Sequence, residues 1–280
     1  MIVDVHTHTP KYKEVVPAEE VEFNTAWRPD RAVKIPVTWC EHMEAMTNVD
    51  RAIVFPIPQE PYASLNNATA EFVQAHPSKL IGFLSVDPRD PGALEEIDRC
   101  VSTLGLRGVK LGPNYQSFDP CGPEAFAVYA RAEKLGLPIM FHAGTSPVRE
   151  APLDYAHPRH MDSIAIAFPD LKIVLAHMAH PWQPTAIAVI RKHPNVYADI
   201  SALFYRPWSF YNCMRLATEW GVLHKLLFGT DYPVTTPQET MEALRRPNAA
   251  IEGTTLPPVP EQAMEEIIGR NALALLGLED

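Results

Sequence analysis

The sequence predicts a (β/α)8 barrel, an α/β fold, as a single domain over residues 1–280 with a closing helix near the C-terminus. Three observations support this fold class. Short apolar segments alternate with longer helical patterns along the whole chain. Eight such segments occur, which is the strand number of this barrel. Polar residues follow several of them, whereas an open doubly wound sheet, the alternative, would collect such residues at one switch point.

The predicted strands are short and almost continuously apolar, as in IVDV, AIVF and KIVLAH. This pattern is typical of parallel strands that are covered on both faces. The strands are expected at Ile2–His8, Ala52–Pro56, Leu80–Val86, Gly108–Leu111, Pro138–His142, Lys172–His177, Val196–Ile200 and Lys225–Thr230.

Helical periodicity connects the predicted strands. Apolar residues recur at helical spacing in Ala93–Leu104, Pro123–Leu135 and Pro184–Lys192. A similar pattern at Glu261–Leu276 predicts the closing helix. No linker or low-complexity segment divides the chain, so we expect one domain.

Composition and charge exclude several classes of function. The chain has 24 Lys and Arg against 34 Asp and Glu, a net charge of −10, and no basic run, which excludes nucleic acid as a partner. The four cysteines form no C-x-x-C pair, so a reducing cytoplasm is the expected location. No signal peptide and no run of about 20 apolar residues is visible, so we expect no membrane partner.

The chain contains eleven histidines, and histidine is the commonest metal ligand and a frequent acid or base. Four of them fall in helices or at helix ends and are predicted to be structural: His42, His76, His193 and His224. His6 and His8 end the first strand, two positions apart, so strand periodicity places both rings on one face. Two imidazoles at one strand end can share a divalent cation.

Further candidates lie where a barrel presents its catalytic groups, at the C-terminal ends of strands. His142 ends PIMFH, His177 ends KIVLAH, and Asp231 follows LLFGT. A buried carboxylate needs a partner or a cation, although Asp231 could instead cap the loop that follows. Lys110 ends the fourth strand, where it could contact a substrate anion, carry a carbamate between two metals, or form a structural ion pair.

Substrate recognition is expected from loops beyond the strand ends. Arg206 stands beside Tyr205 in ALFYRPW after the seventh strand and suits a carboxylate clamp. Trp27 and Arg28 follow the first strand. The alternative for both arginines is an ordinary surface position. Together these residues predict a small, planar or carboxylated substrate.

Six stretches in order along the chain resemble the amidohydrolase superfamily: DVHTH at 4–8, GVKLGP at 108–113, FHAG at 141–144, LAHMAHPW at 175–182, FGTDYP at 228–233 and IIGRNALALLGL at 267–278. The likeness is to its metal-dependent barrels that include aminocarboxymuconate-semialdehyde decarboxylase and related hydrolases, lactonases and aromatic-acid decarboxylases.

The resemblance implies a metal-ligand set of His6, His8, His142 and Asp231. It also implies that Asp231 serves as the proton acceptor and that His177 faces the activated water or the substrate, where it would stabilise an oxyanion. A turn that is often rich in glycine carries His180 here, which makes His180 a candidate substrate contact. Lys110 occupies the position of a bridging lysine in binuclear members, without settling the number of metals.

The expected function is therefore a metal-dependent hydrolase that acts on a small carboxylated, aromatic or lactone substrate through a metal-activated water. The alternative with the same parts is a non-oxidative decarboxylase, and a third possibility is a barrel that binds ligand without turnover. One divalent metal per chain is expected, with Zn²⁺ first and Mn²⁺ second. Related barrels are often dimers, so a homodimer is a further expectation.

Overall fold

A computed structural model describes residues 1–279 and has the predicted (β/α)8 architecture. Ten strands occur along this part of the chain: β1 (Val3–His8), β2 (Glu22–Asn24), β3 (Val33–Ile35), β4 (Arg51–Phe55), β5 (Leu80–Gly82), β6 (Val109–Leu111), β7 (Ile139–Phe141), β8 (Ile173–Leu175), β9 (Val196–Asp199) and β10 (Leu226–Leu227). Eight of them are the parallel barrel strands, and each falls within or near a predicted segment.

The barrel is closed by main-chain contacts between two sheets, one of order β1-β4-β5 and one of order β10-β9-β8-β7-β6. On one side the amide of Val5 donates to the carbonyl of Phe228 at 3.0 Å. On the other side the amide of Leu84 donates to the carbonyl of Gly108 at 2.8 Å. The C-terminal ends of all eight strands therefore surround one opening.

The hairpin of β2 and β3 was not predicted. These two antiparallel strands have three residues each and lie in the connection after β1. The segments EFN and VKI are too short to show alternation, so nothing in the sequence marks them as strands. The hairpin matters because Trp27 lies between its strands.

Helices cover the outside of the barrel: α1 (Trp39–Ala45), α2 (Tyr62–Ala75), α3 (Ala93–Ser102), α4 (Pro113–Gln116), α5 (Pro123–Leu135), α6 (Arg159–Ala167), α7 (Gln183–Lys192), α8 (Pro207–Glu219), α9 (Pro237–Leu244), α10 (Glu261–Ile268) and α11 (Ala272–Leu276). None of the helices within residues 1–279 is long and apolar enough to cross a bilayer.

The predicted closing helix is two helices instead of one. The helical pattern over Glu261–Leu276 breaks after α10, and the side chain of Asn271 caps α11 by accepting from the amide of Ala274. This local cap competes with a continuous helix. Leu273 and Leu276 of α11 pack against the inner cluster of the barrel.

Two apolar clusters hold the barrel together. The outer cluster joins strands to helices, while the inner cluster fills the barrel with side chains that include Val3, Val5, Ile53, Phe55 and Met140. Inner positions alternate with outer positions along each strand, as the pleat requires. Two residues further along a strand, the same alternation places polar side chains on the inside, at the C-terminal opening.

A β-bulge lets β1 direct both its core valines and its histidines to the inside of the barrel. Asp4 pairs with Ala52 and Thr7 pairs with Val54, so β1 has one extra residue between these pairs. Consecutive residues can therefore both face inward: Val5 belongs to the inner cluster, and His6 lines the opening above it. Without the bulge, strict alternation would send either the valines or the histidines outside.

Candidate metal centre and active site

A cavity of about 1400 Å³ opens at the C-terminal ends of the strands. Its walls contain all but one of the side chains that the sequence singled out: His6, His8, Trp27, Lys110, His142, His177, His180, Tyr205, Arg206 and Asp231. This volume exceeds the roughly 300–1,000 Å³ that is typical of small-molecule sites. The exception among the predicted residues is Arg28.

His6, His8 and Asp231 converge on one point. Oδ1 of Asp231 lies 3.1 Å from Nε2 of His6 and 3.0 Å from Nε2 of His8. Ligand atoms of the three residues lie within 4.8 Å of one another. The nearby His177 and His6 rings hold the pKa of Asp231 well below its usual range in spite of burial. A fixed carboxylate charge facing two imidazole nitrogens matches the ligand preferences of a divalent transition metal.

His142 lines the same cavity and offers a further nitrogen donor, outside the group of three. Its Nε2 atom is buried and has no hydrogen-bond partner among the described residues. Burial lowers the pKa of His142 well below its usual value, so the ring is neutral and retains a lone pair. A buried nitrogen without a partner is costly unless something binds it. The donor set of this chain therefore fits a metal ion.

Asp199, which the sequence analysis missed, lies behind His6. It ends β9, is fully buried, and its Oδ2 atom is 2.8 Å from Nδ1 of His6. The pKa of Asp199 lies below its usual range because His6 and Ser201 outweigh the effect of burial. Burial and Lys110 lower the pKa of His6, but the carboxylates of Asp199 and Asp231 raise it overall.

The sequence did hold a signal for Asp199. VYADIS places an aspartate at the end of an apolar strand, which is the same pattern that drew attention to Asp231. A buried carboxylate in such a strand needs a partner. His6 is that partner.

His177 lies beside the same group and is held by Ser201. The Oγ atom of Ser201 is 2.8 Å from Nδ1 of His177, and it donates to Oδ1 of Asp199 at 2.5 Å. Burial lowers the pKa of His177 to about 4, so the ring is neutral near pH 7. Its centroid lies 4.8 Å from that of His6 and 5.3 Å from that of His142.

Lys110 brings a positive charge to the inner end of the cavity. Its side chain is 2% exposed, and its Nζ atom has no hydrogen-bond partner within residues 1–279. Nζ lies 4.6 Å from the ring centroid of Phe55. Burial lowers the pKa of Lys110 to about 8, although Asp199 and Asp231 act in the opposite direction. The contacts do not support the ion-pair alternative, since no carboxylate of the described residues bonds to this ammonium group.

An arginine and two aromatic residues form a further part of the cavity wall. Arg206 donates to the carbonyl of Ala202 at 3.0 Å, and its guanidinium carbon lies 4.6 Å from the ring centroid of Tyr205. The hydroxyl of Tyr205 donates to the carbonyl of Trp27 at 2.9 Å, which ties the hairpin loop to this wall. Arg206 thus keeps a guanidinium group at the cavity without a carboxylate partner in the described chain.

Arg28 is not brought to the cavity. It is 3% exposed, and its guanidinium group donates to Asp30 at 2.7 and 2.9 Å and lies 3.5 Å from Glu239. Arg28 also packs over the ring of Tyr205, with 4.9 Å between the guanidinium carbon and the ring centroid. The predicted substrate contact is replaced by a structural role: Arg28 supports the wall from behind.

The turn after β8 is strained and carries His177 and His180. His177, Met178 and Ala179 have φ values of 56°, 48° and 51°, in the left-handed region that non-glycine residues avoid. Such residues cost about 1–3 kcal/mol each and cluster at functional sites. Gln183 donates to Nδ1 of His180 at 2.8 Å, which fixes that ring at the cavity wall.

A barrel with histidine and aspartate side chains converging at the C-terminal ends of its strands has the architecture of the amidohydrolase superfamily. The chain belongs to the amidohydrolase family, whose model matches residues 3–278. This confirms the resemblance in the six motifs and the barrel fold.

Three comparisons show which known proteins the chain is similar to. The chain is 24% identical over 252 residues to 2-amino-3-carboxymuconate-6-semialdehyde decarboxylase of Dictyostelium discoideum. That match covers 77% of this chain and 66% of the relative, so the chain spans slightly less than two thirds of that protein's length.

Two solved structures share the fold. One is a dihydroxybenzoic acid decarboxylase from Polaromonas sp. JS666 with bound manganese and the inhibitor 2-nitroresorcinol; its TM-score is 0.64 at 17% identity, covering 99% of this chain and 97% of that one. The other is a probable 2-pyrone-4,6-dicarboxylic acid hydrolase from Acinetobacter baumannii with citric acid bound, with a TM-score of 0.65 at 18% identity and 99% coverage of both chains. These identities show the fold alone.

Proposed function

We propose that the protein is a divalent-metal-dependent enzyme that acts on a small carboxylated substrate. The observation that carries the proposal is the convergence of His6, His8 and Asp231 beside the partnerless Nε2 of His142. These four residues would hold one metal ion, with Zn²⁺ as the first candidate and Mn²⁺ as the second. When bound, such an ion lowers the pKa of a water molecule and polarises a carbonyl or carboxylate oxygen.

The side chains around this centre define how a substrate would be held. Lys110 offers an ammonium group that needs an anionic partner, and Arg206 offers a guanidinium group on the cavity wall. Charge-assisted hydrogen bonds to a carboxylate satisfy both groups. Trp27, Tyr115 and Tyr205 provide flat apolar surface for a planar substrate.

Proton transfer is assigned to Asp231 and His177. The ionised carboxylate of Asp231 accepts a proton from a water or a substrate hydroxyl at the centre of the cavity. The neutral ring of His177 is the second acceptor, since its Nδ1 atom is occupied by Ser201 and the ring lines the cavity. Both groups then return protons to the product.

Decarboxylation is the reaction we place first, because the relative found by sequence is a decarboxylase. Loss of CO₂ leaves negative charge on a carbon atom of the substrate. A bound metal ion would withdraw electrons from this carbon, and Asp231 or His177 would pass it the proton that it had accepted. Hydrolysis of an ester or lactone, the expectation from the sequence, is the second candidate. It is favoured by the fold likeness to the pyrone dicarboxylic acid hydrolase.

The test is to remove metal from the protein, reload it with Zn²⁺ or Mn²⁺, and assay a panel of aromatic acids, unsaturated acids and lactone dicarboxylates. In H₂¹⁸O, release of CO₂ without ¹⁸O in a new carboxyl group indicates decarboxylation, and ¹⁸O in the product without CO₂ indicates hydrolysis. Asp231→Asn should lose metal and turnover, while the surface variant Asp162→Asn should keep both. A protein that binds neither ion, and that neither ion activates, contradicts the proposal.

The expected homodimer is a separate proposal. Sedimentation of the metal-loaded protein at several concentrations tests it, and a mass near 31.3 kDa at every concentration contradicts it.

A further inference from the structure

We propose that the substrate carries a bulky, uncharged apolar extension, such as an alkyl chain or a second ring, besides the carboxylate at its reacting end. The extension would lie in one part of the cavity, which we call the apolar lobe and which is formed by Val21, Ile35, Pro36, Ile57, Pro58 and Leu65. This names a substrate class and so rests on the proposed function. Binding of the extension itself needs neither turnover nor a metal ion.

The first observation is the size of the cavity. Its volume is about 1400 Å³, whereas sites for drug-sized molecules usually measure about 300–1,000 Å³. An acid with one small ring would therefore leave much of this space unfilled. A longer substrate gains contacts there that a short one lacks.

The second observation is that the lobe is continuous with the metal-centre candidates. β1 carries two of those candidates at its end, and it pairs directly with β4. Ile57 and Pro58 follow β4, and Leu65 lies in the first half of α2. The connection after β1 supplies Val21 and Ile35. A substrate held at the metal centre can therefore extend past the end of β4 toward α2 without leaving the cavity.

The third observation is that aliphatic side chains of the lobe are open to water. Ile57 is 49% exposed and Val21 is 38% exposed, although both line the cavity. Covering such side chains removes apolar surface from water, which favours binding of an apolar group. Pro36 and Pro58 add apolar surface that loses no rotamer freedom when it is covered. A hydrocarbon group placed on the lobe therefore gains affinity.

The fourth observation is the charge around the lobe. Three carboxylates flank Val21 in sequence and line the cavity with it: Glu19, Glu20 and Glu22. Lys11, which also lines the cavity, bonds to Glu20. This part of the cavity repels a second carboxylate, so we expect the extension to be uncharged. The reacting carboxylate is left to Lys110 and Arg206, which lie outside the lobe.

A series of 4-alkylbenzoates tests the lobe by binding alone. Isothermal titration calorimetry of the Zn²⁺-loaded and the metal-free protein gives the Kd of the methyl, ethyl, propyl and butyl compounds. Burial of one CH₂ group improves affinity about fourfold, so the affinity should rise about 60-fold from methyl to butyl. 4-(3-Carboxypropyl)benzoate has an extension of similar length that ends in a carboxylate, and it should bind about tenfold more weakly than 4-butylbenzoate.

Two variants with matched controls locate the effect in the lobe. Ile57→Ser should weaken the binding of 4-butylbenzoate about fivefold. Ile166→Ser should leave it unchanged, since Ile166 is 62% exposed on α6 and does not line the cavity. Glu19→Gln should strengthen the binding of 4-(3-carboxypropyl)benzoate about two- to fivefold at low salt. Glu14→Gln, at an exposed position that does not line the cavity, should have no effect.

The inference is overturned by an affinity that stays level from methyl to butyl, or by equal affinities for the butyl and carboxypropyl compounds. Binding of 4-butylbenzoate that weakens as the protein concentration rises would also overturn it, because a second copy of the chain would then cover the lobe. Metal-dependent turnover of a short acid would leave the proposed function standing in each of these cases. A steep series without metal binding or turnover of any acid would contradict the proposed function alone.

Discussion

The carboxylate of Asp4 accepts a hydrogen bond from the hydroxyl of Thr230 at 2.6 Å, and so ties the first barrel strand to the segment that follows the last. The other oxygen of Asp4 accepts from the amides of His6 and Thr230, each at 3.1 Å. The same side chain therefore holds the bulge that turns His6 inward and the residue that precedes Asp231. Two metal-ligand candidates from opposite ends of the chain share one buried anchor.

Asp4→Ala should cost stability and disturb the metal site together. The change leaves the amides of His6 and Thr230 unpaired in a fully buried position, and leaves the Thr230 hydroxyl only the carbonyl of His6 at 3.4 Å. A buried donor without a partner costs about 1–3 kcal/mol, so we expect a loss of roughly 3 kcal/mol or more in the free energy of unfolding. Urea denaturation measures it. Asp90→Ala, which removes one exposed turn contact, is the control, and equal losses in the two variants would contradict the role given to Asp4.

The sequence predicts the location of a site residue best when a polar side chain stands at the end of an apolar strand. That His6, His8, His142, His177 and Asp231 line one cavity was predictable, because each ends or follows an apolar strand and barrels present such positions at one face. Their roles stay predictions. The bulge was not predictable, since it depends on pairing between β1 and β4 that the sequence of β1 does not show. Arg28 was expected at the cavity but lies outside its lining, and this was not predictable because one of its partners, Glu239, is 211 positions away in sequence.

Lys110→Met should make the metal-free protein more stable and the enzyme less active. The pKa of Lys110 lies near 8, below its ordinary value of 10.5, so the charged form is disfavoured in the folded state. At about 1.4 kcal/mol per pKa unit, this penalty is about 3 kcal/mol. It is fully present below pH 8 and disappears as the pH rises from 8 to 10.5. The stability gained by the variant should therefore shrink over that range.

Lys225→Met is the matched control for this prediction. Lys225 has a similar pKa of about 8, but its ammonium group donates to the carbonyls of His193 and Pro194. The same linkage applies to Lys225, but its removal also leaves two carbonyl groups without this donor, so Lys225→Met should gain about 1–3 kcal/mol less stability at pH 7 than Lys110→Met. Thermal and urea denaturation of the two variants from pH 7 to pH 10 measure the contrast. A destabilised Lys110→Met protein at pH 7 would show that Lys110 has a structural partner.

Gly144→Ala should displace the turn that carries His180. Gly144 has a φ of +104°, and an added Cβ would lie 2.4 Å from the carbonyl oxygen of His180 and 2.9 Å from its amide nitrogen. Main-chain atoms cannot move away without shifting the whole turn, so we expect a loss of about 3 kcal/mol in the free energy of unfolding and a large fall in kcat.

Gly136→Ala is the control: its φ is +69°, but no atom lies within 4 Å of the added Cβ. That change should cost only about 1 kcal/mol and leave kcat unchanged. Similar kcat values in the two variants would show that the position of this turn does not affect turnover.

Arg206→Met and Arg28→Met should separate substrate binding from structural support. Arg206 faces the cavity with carbonyl groups as its partners, so its loss should raise KM for acidic substrates about 10–100-fold, the value of one or two charge-assisted hydrogen bonds. The free energy of unfolding should change little. Arg28 is buried beside Asp30 and Glu239, and Arg31 also pairs with Glu239, so Arg28→Met leaves only Asp30 without its cation and should cost about 1–3 kcal/mol through the lost hydrogen bonds. At a temperature where the Arg28→Met protein is fully folded, its KM should stay near the natural value.

Steady-state kinetics and denaturation of both variants test whether Arg206 binds substrate and Arg28 supports the fold. An unchanged KM in Arg206→Met for every acid that is turned over would exclude Arg206 as the carboxylate contact.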